Sequence, residues 1–191
     1  MAETVRFRLF LGLAVALLVL TGCSGGAAAP PPVRTPSSAP EFNAADVMFL
    51  QMMIPHHEQG VEIVRLARDH PVRPAVAELA AAIETTQRSE AEGMKGWLRD
   101  WGQPATADAG AHAAHGGMRM TDPDLVGALK SAPGKDFERR FLDILAGHQH
   151  NAVEMAQTET STGKNPAARD LAHRIVESRT AEIKQLLGYT T

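Results

Sequence analysis

The sequence predicts an all-α fold, a four-helix bundle made from two copies of one helix pair. Three observations carry this. From residue 44 onward the apolar residues recur at helical spacing. No segment alternates apolar and polar residues at period two, as a half-buried strand would. And the segment 49–97, moved along by 92 residues, falls on 141–189 without a gap.

The chain opens with two basic residues, Arg6 and Arg8, then an apolar run from Leu9 to Leu20 broken only by Gly12, and then Leu20-Thr21-Gly22-Cys23. This order is that of an export signal, and the apolar run is short for a membrane span. The Leu-Thr-Gly-Cys ending resembles the lipobox of bacterial lipoproteins. That resemblance implies cleavage after residue 22, lipidation of Cys23 and anchoring on the extracytoplasmic face of the cell membrane. The alternative is a plain secretory signal or uncleaved anchor, which leaves the only cysteine of the chain unexplained. With one cysteine there is no intramolecular disulfide. Residues 23–41, rich in Gly, Ala, Pro and Ser, read as a flexible tether.

Residues 42–191 are long enough for one domain with a real core. The whole chain carries a formal charge of −3, and losing Arg6, Arg8 and Glu3 with the signal leaves −4. A mildly acidic domain has no electrostatic case for nucleic acid. No glycine-rich phosphate loop follows a strand pattern.

The helices follow in order. Val47, Leu50, Met53, Ile54, Val61, Val64 and Ala67 predict a first helix over 44–69, with Asn43 as N-cap and His70-Pro71 as its end. Pro74 suits the first turn of a second helix carrying Val76, Leu79, Ala80, Ile83, Met94 and Leu98, which stops near Gly102-Gln103-Pro104. Residues 103–121 form a polar, Gly-rich linker, and a short helix is expected at 123–131. Phe137, Phe141, Ile144, Leu145, His148, Ala152 and Met155 make the stripe of a third long helix ended by Gly163, and Pro166 opens the last, with Leu171, Ile175, Ile183 and Leu186. The halves are 44–102 and 122–189. Across the 92-residue offset Phe49-Leu50 matches Phe141-Leu142, His56 matches His148, Val61-Glu62 matches Val153-Glu154, Pro74 matches Pro166 and Glu90 matches Glu182.

Chemistry concentrates at two places. The first helix is centred on Met52-Met53-Ile54-Pro55-His56-His57-Glu58. Pro55 removes one helical hydrogen bond just before His56, and its counterpart Gly147 weakens the helix just before His148. Met52 and His56 share one helical face, Met53 and His57 another. His148 and Met155 lie two turns apart on one stripe, while His150 and Glu154 share a different face. A symmetric bundle is expected to gather His56, His148 and, with them, Met52 and Met155. Imidazoles suit copper, zinc, iron and nickel, and thioethers add a preference for Cu(I). The second cluster, His112, His115, Met118 and Met120, sits in the linker, either as a further set of soft donors or as an incidental polar loop. His70 reads as a helix-end residue, His173 as a surface residue, Met48 and Met94 as core filler, and Trp97 and Trp101 as packing on the bundle end.

The run Phe49-Leu50-Gln51-Met52-Met53-Ile54-Pro55-His56-His57, continued by Glu58-Gln59-Gly60-Val61-Glu62, resembles the signature of the domain-of-unknown-function 305 family, as do the second His segment at 148–155 and Gly117-Met118. The resemblance covers about residues 44–188. It implies a ferritin-like four-helix fold and, through the CopM-like members, copper binding or copper resistance outside the cytoplasm, carried by His56, His57, Met53, His148 and Met118. One position departs from the pattern: where a second adjacent histidine is usual, the chain has Gln149, and His150 points about 100° further round the helix.

Three functions compete at this level: a lipid-anchored copper-binding protein, a structural or partner-binding module, and a ferritin-like metal oxidoreductase. The last normally needs Glu-x-x-His on two helices, which this chain lacks; Asp170-Leu171-Ala172-His173 comes nearest. No Gly-x-Ser-x-Gly elbow occurs either, so no enzyme class is indicated.

Overall fold

The computed structural model describes residues 41–107 and 119–190. The export signal, Cys23 and nearly all of the tether lie outside the described residues, as do His112, His115 and Met118 of the linker. The described residues form five helices and no strands: α1 (Ala44–Arg65), α2 (Pro74–Asp100), a short α3 (Pro123–Lys130), α4 (Gly134–Thr162) and α5 (Pro166–Gly188). The four long helices make the bundle. α1 packs along α2, α4 along α5, and α1 against α4 joins the two pairs. None of the described helices is long and apolar enough to cross a membrane.

The ends of the helices follow from local chemistry. Asn43 caps α1 by accepting from the Asp46 amide, while Asp46 accepts from the Asn43 amide. This capping box satisfies two donors that the first turn leaves open. α1 stops at Arg65, short of the expected 69, and tightens into a 3-10 turn at Leu66–Arg68 ahead of Pro71. Pro74, Pro123 and Pro166 each stand in the first turn of a helix, where a missing N–H costs nothing. Gly102, with φ 65°, takes the left-handed turn after α2. α1 runs through Pro55 and α4 through Gly147 without a break.

The duplication survives in three dimensions, down to single hydrogen bonds. Asp46, in the first turn of α1, accepts from the amides of Lys164 and Asn165 just before α5. Its counterpart Glu138, 92 positions on and near the start of α4, accepts from the amide of Arg73, which is the counterpart of Asn165, just before α2. Each half thus holds the start of the other half's second helix.

Two apolar cores result. One contains Phe49, Leu50, Met53, Met94, Leu98, Leu171 and Ile175. The other contains Ile63, Ile83, Leu129, Phe137, Phe141, Leu142 and Leu145. Each large side chain buried there contributes about 1.5–3 kcal/mol. Trp101 stacks on Phe42 at the end of the first core, with ring centroids 4.6 Å apart. His70 stacks on Phe137 at the second, at 3.8 Å. Between these two cores every long helix contributes polar residues that are buried or half-buried, and they form the belt described next.

Candidate functional site

Every long helix contributes to this belt: α1 gives His56 and His57, α2 gives Gln87 and Glu90, α4 gives His148 and Gln149, and α5 gives Arg179 and Glu182. His56, His57, Gln87, Gln149 and Arg179 are fully buried and His148 nearly so. The helical register dictates the grouping. His56 and His148 are equivalent positions of the repeat, and the bundle's pseudo-two-fold brings them face to face, rings stacked with centroids 3.8 Å apart and planes 12° from parallel. The His57 ring is 6.3 Å from that of His56.

Hydrogen bonds orient these rings. His57 Nε2 lies 2.8 Å from Glu90 Oε2, so it donates there and leaves Nδ1 without a partner. Thr121 Oγ1 lies 2.9 Å from His148 Nδ1. In the tautomer with its proton on Nδ1, His148 donates to Thr121 and presents a lone pair at Nε2, which has no partner. Neither nitrogen of His56 has one. Four buried imidazole nitrogens are therefore unsatisfied, where each such atom ordinarily costs about 1–3 kcal/mol. Partners that fix one ring nitrogen and free the other are the usual support of a metal-binding imidazole.

Electrostatics keeps the rings neutral. Burial pushes His56 well below the ordinary histidine value, and the neighbouring His148 and His57 push it further. Burial and the nearby His57 bring His148 down to about 3. Burial lowers His57 as well, against the opposing hydrogen bond to Glu90. Neutral rings keep their lone pairs, which is the state a metal requires.

Below the rings lies a charged clasp. Arg179 pairs with Glu90 and, at 3.1 Å, with Glu182. Burial pushes Glu90 up, but the hydrogen bond from His57 and the charge of Arg179 outweigh it and hold the carboxyl below its usual value. Gln149 donates to Glu182 and accepts from Gln87 at 3.1 Å. Gly60 gives room for all of this. A Cβ there would stand 2.1 Å from Gln87 Oε1 and 2.8 Å from His148 Nε2.

The described methionines of the first half and α4 lie in the first apolar core and along the α1–α4 seam. Met53 is fully buried in the first apolar core. Met52 and Met155 line a cavity of about 170 Å³ between α1 and α4, together with Met48, Arg119, Glu154 and Glu159, and no histidine lines it among the described residues. His150 is exposed on α4, 3.7 Å from Glu154, and is not brought to the buried rings. Met120 is half-buried at the end of the linker. That end reaches both places: Thr121 exchanges hydrogen bonds with Gln59 and touches His148, while Arg119 pairs with Glu154 at the cavity rim.

The donor chemistry thus fits a borderline or soft metal ion, but the donors do not converge. No group of three His, Asp or Glu side chains is poised around one point among the described residues. Stacked rings point their in-plane lone pairs side by side, so shared coordination by His56 and His148 requires a ring rotation.

Sequence reasoning did not single out Gln59, Gln87, Thr121, Gln149, Arg179 or Glu182 as site residues. The offset that aligned Glu90 with Glu182 also aligns Gln87 with Arg179 and His57 with Gln149, and that register was the available signal.

Comparison with known proteins agrees with this architecture. The family described as Domain of unknown function (DUF305) matches residues 46–190. A DUF305 protein of Streptomyces coelicolor, assigned to the secreted proteins, superimposes with TM-score 0.70 at 28% identity, covering 74% of this chain and 89% of that one. A DUF305 fragment from Deinococcus radiodurans gives TM-score 0.70 at 28% identity over 79% and 98%. CopM in its Cu(II)-bound form gives TM-score 0.65 at 32% identity over 76% and 95%, and it is also solved in Cu(I)- and Ag-bound forms. No curated protein matches significantly.

Proposed function

Because the chain belongs to the DUF305 family, we propose that it is a metal-binding protein held outside the cytoplasm, with copper, as Cu(I), the cargo it sequesters or buffers. The observation that carries this reading is the pair His56–His148: buried, neutral, and with three ring nitrogens that form no hydrogen bond of normal geometry, each ring only approaching the other's backbone. Histidines kept for structure alone are hydrogen-bonded. These carry a desolvation cost that a bound ion removes. His57, held by Glu90 with Nδ1 free, is the nearest further donor. CopM, solved with Cu(II), Cu(I) and Ag, supports the class of ion.

The rest of the chain is read to match. Residues 1–22 are the signal, Cys23 the lipidated anchor, 23–41 the tether and 42–191 the functional domain. The linker cluster His112, His115, Met118 and Met120 is a further donor set that delivers ions to the bundle, since the described end of the linker touches His148 through Thr121.

An anaerobic Cu(I) titration against a competing chromophoric chelator tests this, using the full chain with Cys23→Ser to remove the thiol and zinc as control. Binding that is tighter for Cu(I) than for zinc, and weakened in both His56→Ala and His148→Ala with helicity retained, is the expected result. Unchanged binding in both variants, with loss only in Met118→Leu/Met120→Leu, moves the site to the linker. No binding above the chelator's background removes the proposal.

A further inference from the structure

Along the seam of α1 and α2 a cavity of about 340 Å³ has exposed Glu58 and Glu92 at its rim and two belt residues, His57 and Gln87, in its wall. Both belt residues are fully buried, and each keeps one polar atom without a hydrogen-bond partner, His57 Nδ1 and Gln87 Oε1. Gly60 joins this wall to the ring beyond it: a Cβ there would stand 2.1 Å from Gln87 Oε1 and 2.8 Å from His148 Nε2. Thr121 occupies the other ring nitrogen of His148, so the free Nε2 is approached from the α1–α2 side. At the mouth the Lys95 ammonium bridges Glu58 across the seam and Glu92 on its own helix, at 2.9 Å from each. The equivalent positions of the second half are filled differently. Ala91, the small residue that leaves this cavity open, becomes Ile183; Lys95 becomes Leu187, Glu92 becomes Lys184 and Glu58 becomes His150. The small residue and the bridged carboxylates are thus particular to the first half and no by-product of the repeat.

We propose that this groove is the entrance through which a metal cation reaches the buried histidine belt, with Lys95 as its gate. Paired carboxylates at the mouth of a cleft with low-dielectric walls concentrate cations there. Lys95 neutralises Glu58 and Glu92 in the resting chain and swings aside as an ion replaces it. A long, flexible side chain does this readily, because ion pairs at the surface are weak. Past the mouth the ion meets two neutral acceptors, His57 Nδ1 and Gln87 Oε1, before the nitrogens of His148 and His56. The inference rests on the reading of the belt as a metal site and adds the route and its control. It makes its own prediction about rates, where that reading predicts affinities.

The probe is Cu(I), supplied and withdrawn by a chromophoric chelator under anaerobic conditions, on the full chain carrying Cys23→Ser. Stopped-flow absorbance of the chelate reads uptake and release, and the kinetic phase that disappears in His56→Ala belongs to the belt. Ala91→Ile imposes the second-half residue and fills the groove. Uptake and release are expected to slow by one common factor, with the dissociation constant unchanged; damage to the site itself would shift that constant instead. Lys95→Met keeps the length of the side chain and removes its charge. Uptake is expected to quicken about tenfold at low salt, and the gain to shrink as salt screens the freed carboxylates. Should the larger side chain of Ala91→Ile unfold the bundle, uptake in Lys95→Met decides alone. Uptake and release at the parent's rates in the folded variants, with affinity still lost in His56→Ala, overturn the entrance and leave the belt as the metal site. A belt that takes no Cu(I) in the parent overturns both readings.

Discussion

The two halves of the bundle share one hydrogen-bonding plan and differ in the chemistry they place on it. In the first half His57 on α1 bonds to Glu90 on α2; in the second, Gln149 on α4 bonds to Glu182 on α5, at the same sequence separation. Gln87 in the first half corresponds to Arg179 in the second. A glutamine can copy the geometry of a histidine that donates to a carboxylate, but its amide is no ligand for a soft ion. The first half therefore keeps the extra imidazole. The second half supplies the cation, because Arg179 compensates both Glu90 and Glu182. The halves thus share one donor position, His56 and His148, and differ at the next, where the first half carries an imidazole and the second an amide that braces the belt.

Exchanging residues between the halves breaks or sharpens this contrast. The largest effect is expected from Arg179→Gln, which imposes the first-half residue. It leaves Glu90 and Glu182 without their shared cation, and removing one member of a buried ion cluster costs about 3 kcal/mol. Chemical denaturation measures it, and a loss below about 1 kcal/mol would show that the clasp is not what steadies the belt. Next is Gly60→Ala, which imposes the second-half residue Ala152. The new Cβ meets Gln87 and His148, and overpacking of this kind costs about 2 kcal/mol. His148 must move with it, so weakened metal binding is expected alongside the lower thermal midpoint.

Gln149→His imposes the first-half residue at the ligand position. Glu182 is already placed to accept from the new ring, so stability is expected to change by less than about 1 kcal/mol. Cu(I) affinity is expected to rise about tenfold in the competition titration. No gain would mean that His57, its counterpart, is not a ligand either.

The subtlest effect is a slope with pH. Burial, together with the hydrogen bond to Asp46 and its charge, pushes Glu159 up to about 8. The folded chain thus holds a proton that the unfolded chain releases at the ordinary carboxylate value. This contribution is complete below that ordinary value and is lost as pH rises through about 8. The histidines act in the opposite sense. Their folded values are depressed, so their contribution is complete above the ordinary histidine value and is lost as pH falls, with His148 resisting protonation to about 3. Thermal midpoints across pH are expected to decline on both sides. Glu159→Gln, which cannot ionise, is expected to flatten the alkaline decline only.

Much of this was legible in the sequence. The apolar stripes, Asn43, the helix-opening Pro74 and Pro166 and the constant offset pointed to the four long helices and their order, because helix formation and capping depend on near neighbours. His56 and His148 were legible as equivalent positions of the repeat on the helix faces that the pseudo-two-fold turns towards each other. The expected gathering of Met52 and Met155 with those histidines is not what the packing gives. Met52, one turn before His56, and Met155, two turns after His148, line the cavity along the α1–α4 seam instead. Thr121 and Gln59 could not be read at all, since a loop crossing two helices is decided by tertiary packing. Arg179 was hidden differently: an arginine amid a polar helix face reads as solvated until a bundle closes over it.

The most direct test of the central claim, that the stacked His56–His148 pair is the copper site, is long-range ¹H–¹⁵N NMR of the imidazole rings in the full chain with Cys23→Ser, titrated anaerobically with Cu(I). His148 Nε2 and one nitrogen of His56 are expected to shift on the first equivalent, while exposed His150 and His173 stay still. First-equivalent shifts confined to His150 or to the linker histidines, with the buried pair unmoved, would contradict it.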